Sequence, residues 1–131
     1  MSYQHAVVWI DHLHAKVIDF SFDDKHVVAV EREGGQRQVH RKSGIPGAGK
    51  PGPDHHFYDE VAVALGDARE ILIVGPGNAK LEFRKDLEVR HGAVAKRVVG
   101  TESADHPSDG ELLGFARKYF KRIDALRGDV K

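Results

Sequence analysis

The chain has no cysteine, so it can form neither a disulfide framework nor a thiolate metal site, and it suits the reducing cytoplasm. It also lacks an excess charge, because twenty Lys and Arg residues balance twenty Asp and Glu residues. We therefore expect no general attraction to DNA or to an anionic membrane, and any preference for nucleic acid has to be local. No apolar run approaches the ~20 residues that cross a bilayer, and no secretion signal or internal repeat is visible.

The length suits one compact domain over residues 1–131 with a hydrophobic core of its own. The first part of the chain contains three short apolar segments, at 6–10, 15–20 and 26–32. The first segment is continuous, as in a strand buried on both faces, and the second alternates. Because only short turns separate the three segments, we predict an antiparallel meander of three strands.

A helix and a fourth strand come later in the chain. Residues 55–65 carry apolar side chains at helical spacing, with Asp54 as a candidate cap and Gly66 as a stop signal. The run at 70–75 is apolar and rich in β-branched residues, which predicts a strand buried on both faces.

Two further helices and a fifth strand complete the predicted fold. Asn78 is the candidate cap of a helix at about 79–90, whose expected core residues are Leu81, Phe83 and Leu87. A strand is predicted at 97–101. Ser108 and Glu111 have the spacing of a capping box, which predicts the start of the last helix.

This order of elements, β-β-β-α-β-α-β-α, predicts an α/β fold with a ribonuclease H-like mixed five-stranded sheet and helices on both faces. Right-handed crossovers make strands one, three, four and five point the same way. Their carboxyl ends then meet at one edge, which is where ligand sites of open α/β sheets are usually found.

Residues 34–53 differ from the rest because they hold six glycines, three prolines, no acid and four cations, Arg37, Arg41, Lys42 and Lys50. Such a segment buries too little apolar surface to offset the conformational entropy lost on ordering, so we predict a flexible basic loop. Its cations either contact RNA phosphates or belong to a solvated linker. Residues 44–51 approach a Walker A pattern, but Pro51 stands where Ser or Thr binds Mg²⁺, which disfavours nucleotide hydrolysis.

The turn between the fourth strand and the next helix is a candidate phosphate site. Gly75 and Gly77 allow an anion to approach backbone N–H groups, Asn78 precedes the helix, and Lys80 adds a positive charge. The alternative interpretation is that these glycines only form the strand-to-helix turn.

The nine histidines raise the question of a metal site at the same edge. Imidazole and carboxylate suit Zn²⁺ or Mn²⁺, and the candidate ligands are Asp11, His12, His14, His55, His56, Asp105 and His106. None of them has a metalloprotease-like spacing, so solvated histidines are the alternative, and we expect no cofactor. A ribonuclease H-type nuclease is disfavoured because the fourth strand ends in Gly-Pro-Gly without an acid.

The chain resembles the middle domain of archaeal and eukaryotic class-1 peptide-chain release factors and of Pelota, the ribosome-rescue factor. The resemblance rests on Ile73-Val74-Gly75-Pro76-Gly77 followed by Lys80 and Phe83, on residues 98–102 followed by Asp109-Gly110-Glu111, and on the opening hairpin at 6–20. It is similar to small bacterial one-domain proteins described as translational machinery proteins. The resemblance implies a translation-related protein whose partner is the ribosome or RNA; the oligomeric state stays open.

The resemblance also gives a meaning to Gly34-Gly35-Gln36. In release factors, Gly-Gly-Gln in the equivalent loop promotes peptidyl-tRNA hydrolysis, so Gln36 is a candidate catalytic residue held by Gly34 and Gly35. Here Arg37 follows the Gln in place of a small residue, and a coincidental match is the alternative. Two other functions stay open: a metal- or phosphate-binding enzyme at the His- and Asp-rich edge, and a protein-binding module without catalysis. The balance favours binding over catalysis.

Overall fold

A computed structural model describes residues 4–21, 24–32, 55–66 and 68–126. In chain order the elements are β1 (His5–Ile10), β2 (His14–Phe20), β3 (Lys25–Glu31), α1 (His55–Leu65), β4 (Glu70–Gly75), α2 (Ala79–Arg90), α3 (Gly92–Ala95), β5 (Val98–Ser103) and α4 (Asp109–Leu126). The tract at 34–53 and the candidate cap Asp54 lie outside the described residues. No helix in the described ranges is long and apolar enough to cross a membrane.

The five strands form one mixed sheet in the order β3-β2-β1-β4-β5. β1 pairs antiparallel with β2, and β2 pairs antiparallel with β3. β4 pairs parallel with β1 on one side and with β5 on the other. The predicted α/β fold with a mixed five-stranded sheet is therefore confirmed, whereas its likeness to ribonuclease H stays a prediction. The short helix α3 was not predicted.

Helices cover both faces of the sheet, as predicted. On one face, Val8 and Ile73 of the central strands pack with Phe57 of α1 and Phe83 of α2. On the other face, alternate residues of the same strands pack against α4, in a cluster that includes Val7, Trp9, Leu72, Leu112 and Phe120. Since successive side chains of a strand point to opposite faces, a strand covered on both sides has to be apolar at every position. This explains the unbroken apolar runs of β1 and β4.

Two details of α2 differ from prediction. Leu81 is 50% exposed rather than buried, while Phe83 and Leu87 are fully buried. The core-facing stripe runs through Ala79, Phe83 and Leu87, which have the regular spacing of four residues and leave Leu81 on the outer side. Asn78 stands at the N-cap position, but its side chain makes no capping hydrogen bond because its backbone is already helical.

The start of α4 agrees with its predicted capping box. The Ser108 Oγ accepts a hydrogen bond from the Glu111 backbone N–H at 3.2 Å, and the Ser108 N–H donates to the Glu111 carboxylate at 2.9 Å. These reciprocal bonds satisfy two of the donors that the first turn of a helix leaves without an internal partner. They fix the conformation of the first turn of α4.

Candidate functional site at the carboxyl edge of the sheet

The segments that follow β1, β4 and β5 lie together at one edge of the sheet. The Trp9 indole N–H, at the end of β1, donates to the Asp105 carbonyl at 2.5 Å. The Gly75 carbonyl, at the end of β4, accepts a hydrogen bond from the Ala104 N–H at 3.2 Å. His12, in the turn after β1, lies 3.4 Å from the Glu82 carboxylate in the first turn of α2. The carboxyl edge is thus a connected surface built from separate segments.

The turn between β1 and β2 is stabilised by Asp11. One oxygen of its carboxylate accepts hydrogen bonds from the N–H groups of Leu13 (2.9 Å) and His14 (2.7 Å). The imidazole of His14 lies 3.5 Å from the same oxygen. Asp side chains commonly stabilise turns in this way. Asp11 therefore has a structural role in this turn, and it holds His14 at the edge.

The Gly75-Pro76-Gly77 turn carries the residues of the candidate phosphate site. Gly75 and Gly77 both have positive φ angles, of +152° and +61°. Lys80 is only 8% exposed, and its ammonium donates to the Gly77 carbonyl at 2.5 Å. The Lys80 ammonium, which was expected to bind a phosphate, is thus engaged inside the turn. The Glu82 carboxylate lies in the same first turn of α2 and adds a negative charge. This geometry favours the turn-forming interpretation of Gly75, Gly77, Asn78 and Lys80.

A cavity of about 430 Å³ opens at the same edge, on the face of the sheet that α4 covers. Trp9, Ala29, Pro107 and Leu112 are among its apolar lining residues, and Lys16, Glu31 and His106 are among its polar ones. The rings of Trp9 and His106 are 4.8 Å apart, and an ion pair between Lys16 and Asp109 ties β2 to α4 beside it. An apolar floor with a few polar groups is typical of sites for small molecules or single side chains.

The predicted metal ligands do not converge in the described part of the chain. His12, His14 and His106 lie near three different carboxylates: those of Glu82, Asp11 and Asp105. His55 and His56 contact neither these three carboxylates nor these three histidines in any ion pair that involves the described residues. His55 pairs with Asp86 at 2.8 Å, about two turns beyond the start of α2, and His56 lies 3.9 Å from Glu60. Separate pairs of this kind favour the alternative interpretation, in which the histidines are solvated and bind no metal.

The described residues do contain one group with metal-like spacing, which the sequence analysis missed. Single ligand atoms of Asp59, Asp86 and His91 lie within 4.8 Å of one another. Arg90 already contacts both carboxylates, at 2.8 Å from Asp59 and 3.2 Å from Asp86. The hydrogen bond from Arg90, followed by that from His91, lowers the pKa of Asp59 to about 2. The Arg90 guanidinium thus provides the positive charge between these carboxylates that a metal ion would otherwise provide, and it connects α1 to α2.

Comparison with known proteins gives no match to a family model and none to a curated protein. Solved structures do match. Pelota from Archaeoglobus fulgidus is 15% identical with a TM-score of 0.60, and the match covers 90% of this chain and 32% of that one. The archaeal translation termination factor aRF1 is 13% identical with a TM-score of 0.56, over 95% of this chain and 39% of that one.

Dom34 from Saccharomyces cerevisiae, a translation termination-like factor involved in RNA quality control pathways and interacting with Hbs1, is 12% identical. Its TM-score is 0.55, and the match covers 95% of this chain and 38% of that one. The chain therefore spans about a third of the length of these proteins. The fold of this chain is release-factor- and Pelota-like.

Proposed function

We propose that this chain is a translation-related domain of the release-factor and Pelota middle-domain type, which associates with the ribosome or its RNA in the cytoplasm. The observation that carries the proposal is the fold itself, since translation termination and termination-like factors share it over most of this chain. Fold alone does not fix function. The charges of this chain therefore have to supply the argument for an RNA-containing partner.

The cations that serve RNA binding in this proposal are those of the tract at 34–53, which lies outside the described residues. The tract carries Arg37, Arg41, Lys42 and Lys50 without a single acid. It follows β3, whose carboxyl end belongs to the same edge as those of β1, β4 and β5. Lys16 and Lys80, on the edge itself, are engaged with Asp109 and the Gly77 carbonyl. The proposal therefore assigns phosphate binding at this edge to the tract.

Ribosome pelleting at several salt concentrations tests the proposal. Replacing Arg37, Arg41 and Lys42 together with Ala is expected to weaken co-sedimentation and to flatten its salt dependence, since each lost phosphate contact reduces the slope by about one. The control removes three exposed cations from α4: Lys118, Lys121 and Arg122. An equal loss of co-sedimentation in both variants, or co-sedimentation that does not change with salt concentration, would contradict the proposal and favour a protein-binding module.

Peptidyl-tRNA hydrolysis promoted by Gln36 is the narrower form of this proposal. Two glycines before a Gln allow an unusual backbone that can present its amide and main-chain N–H to a water or an oxyanion. Gln36→Ala is expected to abolish hydrolysis while ribosome pelleting is unchanged. Gln38→Ala, two residues further along the same tract, is the matched control. Hydrolysis that is equal in both variants and the parent removes the catalytic role and leaves the binding proposal intact.

A further inference from the structure

β3 is an outer strand of the sheet, and the described residues place no strand on its outer side. It is seven residues long, and most of its positions are exposed. Its apolar residue Val27, for example, is 36% exposed. An outer strand presents a row of backbone N–H and C=O groups that can pair with a further strand. The sequence of β3 decides which strand fits.

The pairing with β2 determines which groups of β3 point outward. The Arg32 N–H donates to the Leu13 carbonyl at 2.9 Å, just beyond the paired residues His14 and Glu31. In an antiparallel ladder, hydrogen-bonded and non-hydrogen-bonded pairs alternate. The even-numbered residues of β3 therefore bond to β2. The odd-numbered residues direct their N–H and C=O groups outward, and these are Lys25, Val27, Ala29 and Glu31.

The same four residues share one face of the sheet. Val27 is paired with Ile18 and Ala29 with Lys16, and Ile18 belongs to the cluster that packs against α4. Lys25 stands at one end of this exposed row and Glu31 at the other. The row therefore reads cation, apolar, apolar, anion, a pattern that complements itself when it is reversed.

We propose that two copies of this chain associate by antiparallel pairing of their β3 strands about Val28, which joins the two sheets into one. In this register Lys25 faces Glu31 of the second copy, and Val27 faces Ala29 of the second copy. By symmetry each contact occurs twice. The outward N–H and C=O groups of all four residues meet as hydrogen-bonded pairs.

Charge complementarity selects this register among those with the same outward groups. A shift that centres the pairing on Val27 or on Ala29 separates Lys25 from Glu31 of the second copy. Parallel pairing sets like charges beside each other, which destabilises paired strands. An interface of one strand pair is small, so we expect weak association that depends on protein concentration.

Charge reversal tests the proposal on the full chain. Sedimentation equilibrium from about 1 μM to about 1 mM is expected to show a monomer–dimer equilibrium. Lys25→Glu and Glu31→Lys should each weaken it about tenfold or more, because two attractive pairs become repulsive. The double variant should restore it. A parent chain that stays monomeric throughout, or a double variant no stronger than the singles, overturns the proposal; the first result would leave a strand of another protein as the occupant.

A single introduced cysteine tests the register, because the chain has none of its own. In the proposed dimer Val28 faces its own copy in a non-hydrogen-bonded pair, where Cα atoms are about 4.5 Å apart, within disulfide range. His26 lies on the same face of β3, but its copy is four residues away along the strand, about 14 Å. Val28→Cys should form a disulfide dimer on mild oxidation and His26→Cys should not. Equal cross-linking of both, or none at residue 28, overturns the proposed pairing.

Discussion

Gly75→Ala is expected to be severely destabilising, because the end of β4 lies against the backbone of β1. A Cβ atom at Gly75 would clash with the Ile10 carbonyl oxygen and would lie 3.2 Å from the carbon of that carbonyl. Its φ of +152° is also unfavourable for a residue with a side chain. The clashing atoms are backbone atoms of a central strand, so no side chain can move aside to make room.

The expected magnitude follows from comparison with Gly77→Ala in the same turn. Gly77 has a φ of +61°, and no atom lies within 4 Å of a Cβ placed there. Gly77→Ala should therefore lower the free energy of unfolding only by the cost of a left-handed backbone at a residue with a side chain, about 1–2 kcal/mol. Gly75→Ala carries a backbone cost of its own and adds the displacement of β4 from β1, so we expect about 3 kcal/mol or more. This is a large fraction of the 5–15 kcal/mol that stabilises a typical domain.

Urea unfolding followed by circular dichroism measures both variants against the parent chain. The expected result is a clearly lower midpoint for Gly75→Ala than for Gly77→Ala, with similar slopes. If the two free energies of unfolding agree within about 0.5 kcal/mol, the close contact between β4 and β1 is not rigid and the argument fails.

Three further changes test single contacts of the structure. Ser108→Ala removes the capping box of α4 and should lower the free energy of unfolding by about 1 kcal/mol in the same urea assay. Burial, followed by the nearby Glu82 carboxylate, raises the pKa of Tyr58 to about 12. The unfolded chain therefore loses this proton first, and stability that is complete below about pH 10 falls as the pH rises to about 12. Tyr58→Phe should flatten the dependence of Tm on pH in that window. Hydrogen bonds from Arg90 and His91 lower the pKa of Asp59 to about 2 from an ordinary value of 3.8, so its contribution is present above about pH 4 and is lost as the pH falls to about 2. Asp59→Asn should flatten this acid limb.

Much of the fold could be predicted because the relevant signals are local. After a polar first residue, His5 in β1 and Glu70 in β4, both strands are unbroken apolar runs because helices cover both faces of the sheet. The Ser108–Glu111 capping box lies within four residues of sequence and needs no tertiary contact to form. The capping box is therefore fully visible in the sequence, and the apolar runs indicate directly which strands are covered on both faces.

The candidate site was harder to predict because it depends on contacts between distant segments. A Lys at the start of a helix can point to solvent or fold back onto the turn, and only the packing around Lys80 decides between them. The edge cavity depends on the position of residues 104–108, which Trp9 holds from a strand almost a hundred residues earlier. The pair Asp86 and Arg90 is visible as an i, i+4 spacing, but Asp59 comes from another helix.

The proposed dimer uses β3, whereas the proposed RNA contact uses the tract at 34–53 that follows it, so the two should be separable. In an antiparallel pair the two β3 strands point in opposite directions, so the carboxyl edges of the two copies face away from each other. Neither edge is covered by the pairing, so the carboxyl end of β3, which the tract at 34–53 follows in sequence, stays uncovered in each copy. Lys25→Glu should therefore weaken the dimer while salt-dependent ribosome pelleting is kept. The triple variant at Arg37, Arg41 and Lys42 should weaken pelleting and leave the dimer unchanged. If Lys25→Glu also abolishes pelleting, the two proposals are linked, and the dimer would then be the form that binds.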